Sequence, residues 1–135
     1  MTPVIPTISA ACAALLGLLA VLLAARVIVH RVRLGVTAGD GGHATLAQAI
    51  RAHANFTEHV PLALLLLAFA EAAGAWRGAV LALGAALVVA RFASAWGLSH
   101  SLATGSGRVA GAGITLLVTG AAAVLVIWRV AMPGA

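Results

Sequence analysis

Arg51–Gly74 reads RAHANFTEHVPLALLLLAFAEAAG, and its two halves obey different rules. From Val60 to Ala70 every residue is apolar, whereas the stretch from Gln48 to His59 carries Arg51, His53, Asn55, Glu58 and His59. A helix needs about 20 mostly apolar residues to cross the hydrocarbon of a bilayer, so the apolar half is too short alone. If this segment spans, part of its polar half lies at membrane depth. Pro61 stands at the junction. A proline inside a helix frees a carbonyl and tends to kink the chain, which membrane helices tolerate when their neighbours compensate.

The rest of the chain supports a spanning reading. Of 135 residues 63% are hydrophobic and 8% charged, against about 25% charged in an ordinary soluble domain. So few charges cannot cover a water-facing surface, and the mean hydropathy of +1.12 agrees. The net charge of +5 comes from arginines scattered singly between apolar runs. Nucleic-acid binding needs a clustered basic patch, so no nucleic-acid partner is expected. The single cysteine, Cys12, lies within an apolar run and is expected to be a small packing residue. The five histidines show no i, i+4 pair on one helix face, so no metal site is expected.

The fold expected is all-α: an integral membrane four-helix bundle forming one domain over residues 1–135, with helices at about 4–29, 44–74, 78–98 and 108–130. No basic residue precedes the first apolar run, so it reads as a retained helix rather than a cleaved signal. Gly35, Gly39, Asp40, Gly41 and Gly42 break the chain after it. Short connections make successive helices antiparallel neighbours. Arg31, Arg33 and Arg108, with Arg26 close by, gather at one end; Arg77 and Arg129 mark the other. Basic loops favour the cytoplasm, which puts both termini outside, with Trp76 and Trp128 as anchors at the outer boundary.

Within the second helix Arg51, Asn55 and Glu58 stand at i, i+4 and i+7, within about 60° of one another. Counted from the outer helix ends, Glu58 and Arg91 lie about 22 and 20 Å deep, level enough to pair. Two readings follow. A Glu58–Arg91 bridge would glue two helices while Arg51 snorkels to the headgroups. Alternatively the groups converge on a small zwitterion: Arg51 on a carboxylate, Asn55 on a peptide group, Glu58 on an ammonium. Spacing alone leaves both open.

The segment resembles the signature helix of the MAPEG family, the membrane-associated proteins in eicosanoid and glutathione metabolism. Its Arg-Ala-x-x-Asn-x-x-Glu-x-x-Pro pattern reads here Arg51, Ala52, Asn55, Glu58 and Pro61. RVRLGVTAGDGG, Arg31–Gly42, is similar to the family's first cytoplasmic loop. The resemblance implies a bacterial-type member, a homotrimer in the inner membrane binding glutathione between subunits near the cytoplasmic face. By motif position Arg51, Asn55 and Glu58 would contact the tripeptide, with His59, Arg31, Arg26 and Arg91 as further candidates. The spacing Gly107–Gly111 allows close helix approach.

Departures from the family pattern bear on catalysis. Active members stabilise the glutathione thiolate with a nearby Arg or a hydroxyl donor. The residue after the motif Glu is often Tyr and is His59 here. Phe92 and Trp96 stand where third-helix tyrosines are expected, and Ser94 where bacterial relatives often carry His. The activating Arg has no clear match; Arg108 is the nearest basic residue, with Arg91 and Ser94 as further catalytic candidates and Ser99, His100, Ser101 and Ser106 as nearby donors. Three functions stay open on these residues. One is a glutathione transferase or peroxidase acting on lipophilic electrophiles from the bilayer. The others are a non-catalytic trimeric binding protein, and a small transporter using Glu58.

Overall fold

The computed structural model describes residues 5–100 and 106–132; the side chains at 98–100 and 106–110 lie outside the description. The described residues form four helices: α1 (Thr7–Leu34), α2 (Ala44–Ala72), α3 (Arg77–His100) and α4 (Ser106–Ala131). The expected start of the first helix at Val4 falls outside the described residues. Its end differs from expectation by five residues, because the apolar run stops at Val29 while the helix does not. Arg31 and Arg33 in the last turn suit the negative end of the helix dipole. Gly35 then stops the helix in the left-handed conformation (φ 66°), its N–H donating to the carbonyl of Arg31.

Three helices carry stretches long and apolar enough to cross a bilayer: Thr7–Leu34, Arg77–Gly97 and Gly111–Ala131. The fourth, α2, sits among them, and its polar half lowers its hydropathy. It packs against all three others, whereas among the described residues α1 and α4 do not touch. The helix buries a stripe at helical spacing (Ala49, Ala52, Phe56, Val60, Ala63, Leu67), of which Ala52, Phe56, Val60 and Ala63 pack with Leu16, Leu19 and Leu23 of α1, Leu87 of α3 and Val118 of α4. In lipid such contacts work by close packing, so small residues recur where helices meet. Cys12 is buried with Ile8, Leu67 and Val80, and a Cβ on Gly84 would come within 2.8 Å of its Sγ. The outward face is apolar: Leu18, Leu22, Leu65, Leu117 and Ile127 are all more than half exposed or close to it, as lipid or a second copy requires.

One end of the bundle is tied by polar contacts. Glu71, in the last turn of α2, accepts hydrogen bonds from the N–H of Ile8 at 2.9 Å, the N–H of Ser9 at 2.8 Å and the hydroxyl of Ser9 at 2.7 Å. It caps the first turn of α1, which has no acidic residue of its own. Arg129 Nε donates to the carbonyl of Ala73 at 3.2 Å, bringing the end of α4 to the α2–α3 turn. Trp76 and Trp128, both exposed, therefore share one end of the molecule.

Candidate functional site

The polar stripe of α2 lies away from the core. Its centre is roughly 140° around the helix from the buried stripe, with Asn55 at the edge nearer the core. Arg51 and Glu58 are exposed, and Asn55 and His59 half-buried. Glu58 stands midway along α2, about 21 Å from either end. Among the described residues neither Arg51 nor Glu58 finds a hydrogen-bond or ion-pair partner within the chain.

The pairing of Glu58 with Arg91 does not form. Arg91 is 1% exposed and turns inward. Its Nη1 donates to Asn55 Oδ1 at 3.2 Å and reaches the Asn55 carbonyl at 3.4 Å, while its Nη2 donates to Ser94 Oγ at 2.9 Å. Nε has no partner. Matching depth placed Arg91 level with Glu58, but its direction around α3 delivers it to Asn55, three residues earlier on α2. Ser94, also a catalytic candidate, is buried behind the guanidinium. Gly111 of α4 is pressed onto the same spot: a Cβ there would overlap Ser94 Oγ and come within 2.9 Å of the Ala90 carbonyl. The close approach expected of the Gly107–Gly111 pair is thus made by Gly111 inside the subunit, between α3 and α4.

The arginines of α1 occupy different surroundings. Arg26, half-buried, lines a groove between α1 and α3 with Leu19, Leu22, Phe92 and Trp96. Arg31 folds back on its own loop, its Nη1 3.5 Å from the carbonyl of Val36. The structure thus brings Asn55, Arg91 and Ser94 together and leaves Arg51 and Glu58 beside them on the outward face; Arg31 is not part of that cluster. The side chains of Arg108, Ser99, His100 and Ser106, and all of Ser101, lie outside the described residues.

Sequence reasoning overlooked Glu71. The available signal was a helix start, Pro6-Thr7-Ile8-Ser9, with no acid in its first turn, and one acid at the far end of an apolar run.

Comparison with known proteins identifies the family. The sequence profile of the MAPEG family matches residues 9–128. The chain is 36% identical over 95 residues to the inner membrane protein YecN of Escherichia coli K12, covering 70% of this chain and 72% of that one. The YecN protein of Escherichia coli O6:H1 is similar to the same extent, 36% over 95 residues. No solved structure matches at a significant level. The matched profile takes in all of α2 with its polar stripe and most of the other three helices, and the chain is a member of the MAPEG family.

Proposed function

We propose that this protein is a homotrimer of the bacterial inner membrane that binds glutathione between subunits near the cytoplasmic face. The observation that carries the reading is the exposure of Arg51 and Glu58 on a helix packed among three apolar ones, whose other exposed residues are largely apolar. A charged group in a span costs about 2.5–3.5 kcal/mol unless protein or a wet cavity receives it. A neighbouring copy supplies the cover, and a zwitterionic tripeptide between the copies supplies the partners. Arg51 takes a carboxylate, Glu58 the ammonium, and Asn55 a peptide group. His59 and Arg26 border the same half of the subunit. Arg31 and Arg108 lie nearer the cytoplasmic ends and would meet the ligand from a neighbouring chain. Both termini lie outside, as the arginine distribution favours.

With glutathione held there, its thiol loses a proton to water and the thiolate attacks a lipophilic electrophile arriving from the bilayer, the C–S bond forming as the leaving group departs with its electron pair. With a hydroperoxide the attack breaks the O–O bond to give a sulfenic acid and an alcohol, and a second glutathione converts the sulfenic acid to the disulfide and water. The protein contributes position and a positive field. A second reading, binding without turnover, is favoured by one observation: Arg91 and Ser94, two of the candidate thiolate-stabilising residues, are buried and occupied with each other.

Isothermal titration of glutathione into the detergent-purified protein tests the site, with Arg51→Ala and Glu58→Gln alongside. Binding by the wild type that both variants abolish supports the site. Absence of binding by a folded trimer sinks it. Turnover of chlorodinitrobenzene or cumene hydroperoxide then separates the enzyme from the pure binder.

A further inference from the structure

Arg91 is chemically well equipped to hold an anion, yet it cannot touch one in this fold. It is 1% exposed, and the space beside it, walled by Leu23, Ala52, Phe56 and Ala95, is too narrow for a water molecule. Its influence must pass through what it bonds, and the bond to Asn55 has a direction. A guanidinium carries only donors, so the atom Asn55 turns towards it has to be the amide oxygen. That settles which end of the Asn55 amide faces inward, a choice that the shape of the amide alone leaves ambiguous. Nδ2, with its two N–H donors, is left over, and it has no partner among the described residues. Ser94 fixes the other arm of the guanidinium, at 2.9 Å, and Gly111 leaves Ser94 no room to move towards α4.

We infer that Arg91, braced by Ser94, is a positioning residue that locks the Asn55 side chain with its NH2 outward. Asn55 then acts only as a donor and selects an acceptor oxygen of the ligand, a carboxylate or a peptide carbonyl, rather than an N–H. This rests on the glutathione site proposed above. It assigns Arg91 no contact with ligand.

Two measurements test it, one of which needs no ligand. The first is a stability cycle of Asn55→Asp, Arg91→Met and the double variant, read from the SDS midpoint of unfolding. Carboxylate oxygens facing the guanidinium raise the midpoint in the Arg91 background; facing a methionine they lower it. Effects that simply add would overturn the orientation. The second is glutathione titration. Asn55→Asp keeps the bond to Arg91 but offers the ligand an acceptor, and affinity falls by about tenfold or more. Arg91→Lys retains most of the affinity, while Arg91→Met loses about tenfold as the amide is freed to turn. Unchanged affinity in Asn55→Asp would overturn the donor assignment. Unchanged affinity in Arg91→Met would overturn the positioning role. Should the wild type bind no glutathione, the proposed function falls, and the stability cycle still decides how Asn55 faces Arg91.

Discussion

Replacing Gly111 by alanine probes the closest approach that any glycine makes among the described residues. The added Cβ would overlap Ser94 Oγ, and it would lie 2.9 Å from the Ala90 carbonyl oxygen and 3.2 Å from Ser94 Cβ. Ser94 Oγ is held by Arg91, and the Ala90 carbonyl is helix backbone, so neither yields cheaply. Carbon–oxygen contacts settle near 3.3–3.6 Å, so the Ala90 contact alone requires α4 to withdraw by about 0.5 Å, and the Ser94 overlap requires more, or that the Ser94 hydroxyl leave Arg91. Overpacking of this kind costs about 1–3 kcal/mol. Alanine also gains about 1 kcal/mol over glycine in helix propensity, which masks part of the cost. Gly113→Ala provides the correction: it lies two residues on in the same helix with nothing within 4 Å of its added Cβ. The expected result is that Gly111→Ala is less stable than Gly113→Ala by about 1–3 kcal/mol. The assay is reversible SDS unfolding followed by circular dichroism, at one protein concentration because assembly would add to stability. Equal stability of the two variants would refute the reasoning, and with it the bracing of Ser94.

Glu71→Gln should cost about 1–2 kcal/mol in the same assay, because a charged cap is replaced by an amide that also presents donors to the Ile8 and Ser9 N–H groups. Ser9→Ala should cost less than Glu71→Gln, about 0.5–1 kcal/mol, since the backbone donors keep their carboxylate; a loss as large as that of Glu71→Gln would contradict the capping account. Cys12, buried against Gly84 and Leu67, should react with N-ethylmaleimide many times more slowly in the folded protein than in SDS, and rapid labelling of both would show that the α1–α3 contact opens. A phosphatase fused after Ala135 should be active in the periplasm and a fluorescent protein fused there dark; the reverse pattern would invert the proposed orientation.

The helices were legible because long apolar runs separated by glycine-rich loops leave little alternative. The end of α1 was misplaced because a membrane boundary and a helix boundary are different things: Arg31 and Arg33 leave the hydrocarbon while still helical, and Gly35 does the stopping. Along α2, helical phase alone put Arg51, Asn55 and Glu58 on one side, and the structure keeps them there. The partner of Arg91 was not legible. Counting residues from a helix end gives height in the bundle but not the direction a side chain takes around its own axis. Glu58 and Asn55 differ by less than a turn in height, and the choice between them depends on how α3 is rotated against α2. Arg91 also carried a misleading cue, since an arginine and a glutamate at equal depth invite pairing, and the observed partner is an uncharged amide. Nothing local to Ser9 points to Glu71 either, because the cap joins residues 62 positions apart.

That separation has a bearing on how the protein is made. The first helix emerges from the ribosome with the donors of its opening turn unmatched by any acid nearby. Their acceptor is synthesised only when the second helix is nearly complete. The leading end of α1 is therefore finished by the trailing end of α2, so the first two spans close as one hairpin. That closure couples the helix that carries the polar stripe to its more apolar predecessor.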